Sequence, residues 1–162
     1  MNEKRSLGIE DVRTFLNDNG MNNKIVELAD SARTAEMAAA SIGTSVGQIV
    51  KSLIFRGVQS GAPILVLASG TNRVDEKKVA QVIGEPIKKA DADFVRNRSG
   101  FSIGGVPPFA HLEQMLTVID EDLLTYEDIW SAAGHPHAVV QLLPADLVSI
   151  SKGRQADIKV AK

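Results

Sequence analysis

The sequence predicts an α+β fold: one domain over residues 1–162, with a curved, largely antiparallel mixed β-sheet of barrel-like form flanked by helices. Three observations carry this. Apolar runs of strand length are joined by short turns containing Gly, Ser and Pro, the pattern of hairpins. Short segments with apolar residues at helical spacing lie between them, most with a recognisable start or stop residue. The 162 residues, 44% apolar and 23% charged, suit one sizeable core, with no linker, repeat or low-complexity tract. Strands joined chiefly by hairpins, with helices interspersed, point to α+β architecture.

The elements follow in order. Ile9, Val12, Phe15 and Leu16 have helical spacing and predict a helix over 9–18 that stops at Asn19-Gly20, part of an N-terminal helical extension over 1–22. Residues 24–29 read as a short strand. Thr34 is placed to cap an Ala-rich helix over 35–41 that Gly43 closes. Residues 48–56 and 63–69 are apolar runs separated by Gly57, Ser60, Gly61 and Pro63, a hairpin. Asp75 caps a helix over 76–83, Val74 and Val79 stand at staple positions, and Gly84 ends it. Short strands are expected over 101–105 and 116–120. A second hairpin is expected from 126–132 and 137–142 across Gly134-His135-Pro136. Pro144 opens a helix over 144–151, since proline suits the first helical turn, and 156–160 is a candidate last strand.

Composition removes several classes of function. There is no cysteine, hence no disulfide, thiolate metal site or Cys nucleophile. No apolar run reaches the length of a membrane span, and no apolar signal core follows the first residues, so a cytoplasmic location is the expectation. The net charge of −2 argues against broad nucleic-acid binding. It leaves room for a local patch: Lys77, Lys78, Lys88, Lys89, Arg96 and Arg98 concentrate mid-chain, as solvated faces or as a basic surface.

Two features stand out as chemistry. Lys51 lies inside the apolar run Gln48-Ile49-Val50-Lys51-Ser52-Leu53-Ile54-Phe55. With period two it shares a face with Ile49, Leu53 and Phe55. A buried ammonium needs an anionic partner or loses its proton, which points to a ligand. The alternative is an edge-strand lysine that snorkels to water and blocks pairing. The second feature is Gly104-Gly105-Val106-Pro107-Pro108, either a structural turn or a rigid loop whose N–H groups bind a carbonyl or oxyanion. His135 and His137 flank Pro136, but no third ligand or HExxH pattern supports zinc. The serines lie in no G-x-S-x-G elbow, and Gly43-x-x-x-Gly47 lacks the Lys-Ser/Thr of a P-loop. Asp120-Glu121-Asp122 matches no calcium loop and reads as a solvated helix start.

Taken in order, the 48–55 run with Lys51, the Gly104–Pro108 loop, and Gly134 ahead of Leu143-Pro144-Ala145-Asp146-Leu147 resemble the YbaK/ProX family of trans-acting aminoacyl-tRNA deacylases. The resemblance runs from about residue 25 to the C-terminus. It implies hydrolysis of the ester of a mischarged aminoacyl-tRNA, a small non-cognate amino acid on proline tRNA, with prolyl-tRNA synthetase as a candidate partner. It implies Lys51 as the catalytic residue. Ser52, Gly104, Gly105, Val106, Pro107, Pro108, Gly134 and His135 would bind substrate, with no metal or cofactor. The His135-Pro136-His137 segment departs from several members. Two rival readings share these residues: a non-catalytic module that binds aminoacyl-tRNA or a synthetase, and a small-molecule esterase.

Overall fold

The computed structural model of the protein describes residues 6–28 and 34–161. The start of the expected N-terminal extension (1–5) and the last residue of the expected 24–29 strand lie outside them. Among the described residues five helices and eight strands follow one another: α1 (Ile9–Asp18), β1 (Ile25–Glu27), α2 (Ala35–Ile42), β2 (Ile49–Gly57), β3 (Pro63–Ser69), α3 (Glu76–Ile83), β4 (Ile87–Lys89), α4 (Ala92–Ser99), β5 (Leu116–Asp120), β6 (Ile129–Ala132), β7 (Ala138–Leu142), α5 (Pro144–Ser151) and β8 (Arg154–Ala156).

Local chemistry sets most boundaries. The Thr34 hydroxyl accepts the Met37 N–H at 3.1 Å and starts α2, and the Asp75 carboxylate accepts the Lys77 N–H at 3.0 Å and starts α3. Gly43 and Gly84 end these helices at φ 85° and 89°, a conformation that costs glycine little. Pro144 occupies the first turn of α5.

One sheet holds all eight strands in the order β1-β7-β6-β2-β3-β5-β8, with β4 added to β2. Both expected hairpins form, β2 with β3 and β6 with β7. The sheet is mixed: β6 lies parallel to β2, β5 to β3, and β8 to β5. It is not closed, since β1 and β8 end the path, so the curved sheet expected as barrel-like stays open. Hairpin signals are local, whereas the long crossovers that make parallel pairs are not written in any turn.

The largest cluster covers one face of the sheet: Val50, Ile54, Leu65 and Leu67 pack with Phe101, Val106, Phe109 and Ile119, and with Val12 and Leu16 of α1. The N-terminal extension is therefore part of the main core. Phe15 of α1 stacks on Phe109 with ring centroids 4.8 Å apart. The opposite face carries two smaller clusters. Phe55, Ile64 and Val66 pack on Val79 of α3, while Ile49, Trp130 and Val139 pack on Ala38 and Ala39 of α2.

Four expectations change. Residues 101–105 form bends and turns instead of a strand: Gly104 has φ 89° and the Gly105 N–H closes onto the Ser102 carbonyl at 2.9 Å. The last strand falls at Arg154–Ala156 rather than 156–160, with only an isolated bridge from Lys159 to Val74. The sequence reading passed over β4 and α4. The latter buries only Val95 and Ser99, too few for a clear period, although Asp91 caps it and Gly100 ends it. Finally, Asp120 is buried at 1% exposure, so the acidic run starts its 3-10 helix (Glu121–Thr125) from inside the protein. Because Leu16 sits fully inside the main core, Leu16→Ala should cost about 2–5 kcal/mol, read as a lower urea midpoint at unchanged slope.

Candidate functional site

The site grows from β2. On one edge β2 pairs with β3 from Val50 to Arg56. On the other edge it pairs first with β6, as far as Val50 opposite Ser131, and later with β4, from Phe55 opposite Lys89. Between these, residues 51–54 have no ladder partner on that edge among the described residues. The sheet is split there. β6 leaves because the chain turns at Gly134 (φ 97°), where the Ala133 N–H meets the Ala138 carbonyl at 2.9 Å and β7 begins.

A cavity of about 240 Å³ occupies the split. Ser52, Leu53 and Ile54 of β2 line it, with Lys89, Val95, Ile103 and Val106 around them. Leu53 and Ile103 leave 37% and 58% of their surface exposed at its rim. Inside this apolar wall the Ser52 hydroxyl is buried and has no hydrogen-bond partner among the described residues. An unpartnered buried hydroxyl costs about 1–3 kcal/mol.

The Gly104–Pro108 loop borders the cavity through Val106, which is 2% exposed. A Cβ on Gly105 would lie 3.0 Å from the His135 Cα, and one on Gly104 would lie 3.5 Å from the Pro136 ring. The Gly105 carbonyl accepts the Gly134 N–H at 3.0 Å. The loop thus rests on the 134–136 turn. Pro107 and Pro108 are buried supports, the Pro107 carbonyl being held by the His111 Nε2–H at 2.6 Å. Not every expected donor is free. The Gly105 N–H is spent on Ser102, which leaves those of Gly104 and Val106 without a protein acceptor among the described residues.

Gly134 packs rather than lines: a Cβ there would stand 2.7 Å from the Gly8 backbone at the start of α1. His135 is exposed and outside the cavity, its Nδ1 accepting the His137 N–H at 3.1 Å. Among the described residues, no group of three His, Cys, Asp or Glu is placed to hold a metal.

Strand alternation sends Lys51 to the face opposite Ser52, and Lys51 is not among the residues that line this cavity, although Leu53 of its own face is. Nor is Lys51 a simple edge residue, because β2 is an interior strand. Its ammonium donates to the Asn72 carbonyl. The Asn72 side-chain amide donates to Asp120 Oδ2 and Asp122 Oδ2, both at 2.8 Å. Asp120 also accepts the Ser69 N–H at 3.0 Å, and Lys159 closes the network on Asp122 at 2.8 Å. Burial lowers the Lys51 pKa, while the carboxylates of Glu36 and Asp120 pull it back up. Sequence reasoning missed Glu36, Asn72 and Asp120 as the surroundings of Lys51. Asn72 gives only a turn signal, and nothing local says that Asp120 is buried.

With the geometry in place, the comparisons are informative. The aminoacyl-tRNA editing domain family matches residues 29–150, and the chain belongs to that family. It is 31% identical over 145 residues to the uncharacterized protein YwhH of Bacillus subtilis, covering 90% of this chain and 92% of that one. It is 29% identical over 128 residues to EbsC of Enterococcus faecalis, provisionally named a Cys-tRNA(Pro)/Cys-tRNA(Cys) deacylase, covering 77% of this chain and 76% of the other. A solved structure provisionally described as a trans-editing enzyme for prolyl tRNA synthetase superposes with a TM-score of 0.89 at 41% identity, covering 94% and 97% of the two chains. The activity is accordingly that of an aminoacyl-tRNA deacylase, an ester hydrolase. Among the described residues no helix is long and apolar enough to cross a membrane.

Two predictions follow from the packing. Gly134→Ala should cost at least about 1–3 kcal/mol in chemical denaturation, since its Cβ meets backbone and its φ of 97° is unfavourable for alanine. Burial lowers the His111 pKa from 6.5, against the pull of the Pro107 carbonyl. The unfolded chain therefore binds that proton first as pH falls. Stability should be full above pH 6.5 and decline as pH drops below it toward the lowered folded value, a slope that His111→Gln flattens.

Proposed function

We propose that this chain acts in trans to remove a small non-cognate amino acid from proline tRNA, with the aminoacyl group seated in the split of the sheet. The observation that carries this is the buried, unpartnered Ser52 hydroxyl inside a mostly apolar cavity of about 240 Å³. An aminoacyl ester presents that combination, a compact side chain beside polar amine and carbonyl groups. The cavity discriminates by size, and each excess methylene is worth only about 1–3 kcal/mol. The names of EbsC and of the superposed trans-editing structure support proline tRNA as the carrier and prolyl-tRNA synthetase as the source of the mischarged molecule. On this reading the chain works in the cytoplasm, where tRNA is charged.

The open edge of β2 lets one substrate meet both faces. The aminoacyl end lies against Ser52 and Val106, and the terminal ribose or its phosphate reaches Lys51 across residues 51–54. Water attacks the ester carbonyl. The developing oxyanion takes the free N–H groups of Gly104 and Val106, the kind of preorganised donor that stabilises such charge. The acyl–oxygen bond then breaks, and the ribose oxygen leaves with a proton, assisted by the Lys51 ammonium and the neighbouring ribose hydroxyl. The ester is already activated, so positioning does most of the work.

Single-turnover deacylation of proline tRNA charged in turn with alanine, cysteine, serine, threonine and proline tests this. One small amino acid should be lost rapidly and proline spared. Lys51→Ala should slow that loss by about 100-fold or more. Ser52→Ala should slow it by roughly 10-fold while raising stability by about 1 kcal/mol, because the orphan hydroxyl is gone. Salt-sensitive tRNA binding with no deacylation of any substrate would replace the enzyme reading with a binding module.

A further inference from the structure

The basic residues of the middle of the chain separate into two groups in space. Lys78 is committed to α3's own surroundings, paired with Asp157 at 3.1 Å and bonded to the Lys159 carbonyl at 2.8 Å. Lys88 and Lys89 stand exposed on β4. The antiparallel register places Lys88 directly opposite Arg56, and Lys89 opposite Phe55. Arg56, which the sequence reading left out, is itself exposed. Like charges facing each other across an antiparallel pair destabilise it, so this juxtaposition favours an anion above it.

A second observation fixes the patch. The Arg56 guanidinium lies over the Phe94 ring of α4, 5.2 Å from its centroid, and the Arg98 guanidinium lies 5.1 Å from the same centroid. Stacking on the ring holds Arg56 in place and leaves the in-plane N–H edge of its guanidinium available for a phosphate. Arg96 is also exposed on α4, but two residues from both Phe94 and Arg98 it lies on the other flank of the helix. The nearby acids are mostly occupied. Asp91 caps α4 through the Phe94 N–H at 2.8 Å, Glu113 pairs with Arg98 at 2.8 Å, and Glu85 accepts the Gln59 and Ser60 N–H groups. Asp93 lies exposed in the first turn of α4. Arg56, Lys88, Lys89 and Arg96 have no ion-pair partner among the described residues. Lys89, opposite Phe55 in the register, falls on the other face of β4 from Lys88 and lines the cavity in the split, so the patch borders the site.

We propose that the face formed by β4, Arg56 of β2 and α4 is the docking surface for the phosphate backbone of the tRNA acceptor end, with Phe94 fixing the Arg56 guanidinium. This rests on the reading of the split as the aminoacyl site. It explains how a chain of net charge −2 engages a polyanion: the contact is local and confined to the rim of the cavity.

The experiment titrates uncharged proline tRNA into the intact chain over a range of salt, for wild type, Arg56→Gln/Lys88→Gln, Arg96→Gln, and the control Lys77→Gln on α3. The double variant should bind at least about 10-fold more weakly, and its slope of log affinity against log salt should shrink by about one to two. Arg96→Gln, on the other flank of α4, and Lys77→Gln should leave the slope as in wild type. Arg56→Lys should restore most of the slope, because it returns the charge, while thermal melting shows that all variants fold. Phe94→Leu should weaken binding a few-fold with the slope kept. A wild-type slope in the double variant would overturn the proposal. If the wild type deacylates no charged tRNA but shows the patch-dependent slope, the aminoacyl reading of the split fails and the docking surface stands. Deacylation with unchanged slopes in the variants has the opposite meaning.

Discussion

Two strands claim the same edge of β2, and neither covers all of it. β6 takes the N-terminal end and β4 the C-terminal end, leaving residues 51–54 unpaired on that side. Unpaired strand edges are normally covered or blunted. Here the edge is bordered by the Gly104–Pro108 loop and α4, which stand off far enough to leave a cavity. The position of the loop, the isolation of the Ser52 hydroxyl and the basic residues at the rim all depend on that split.

Holding a strand open requires rigid borders. The loop is secured from three sides: its Gly105 carbonyl by Gly134, its Pro107 carbonyl by His111, and its following Phe109 by the Phe15 ring of α1. Gly134 matters because α1 begins against it with no room for a side chain. The helix at the N-terminus thus fixes, through the 134–136 turn, the loop that borders the cavity. On the other face, the buried carboxylate of Asp120 orients Asn72, whose carbonyl receives the Lys51 ammonium. Burial lowers the pKa of this lysine in the middle of the sheet, and the carboxylates of Glu36 and Asp120 pull it back up.

Much of the local structure was legible in the residues. Thr34 and Asp75 cap where their side chains can accept helix N–H groups, Gly43 and Gly84 stop helices at positive φ, and Pro144 opens α5. The strand expected at 101–105 failed because Gly104 turns the chain at φ 89° and the Gly105 N–H closes back onto the Ser102 carbonyl. Helix α4 escaped notice because it buries little, so the apolar period is faint and only its caps betray it. The sequence expected Lys51 and the Gly104–Pro108 loop to share one pocket; in the fold the loop borders the cavity through Val106 while Lys51 does not line it.

The sequence by itself determined most of the element types, both hairpins, the α+β class and the family, because caps, turns, periodicity and ordered motifs are written in contiguous residues. The tertiary structure alone decided the mixed pairing, the open sheet, the burial of Asp120 and the setting of Lys51 among Asn72, Asp120 and Glu36. It alone brought Arg56 of β2 to Lys88 of β4 and to Phe94 of α4. Those relations join residues far apart in the chain. They arise from which strand edges pair and which faces pack, and no local pattern of residues encodes that choice.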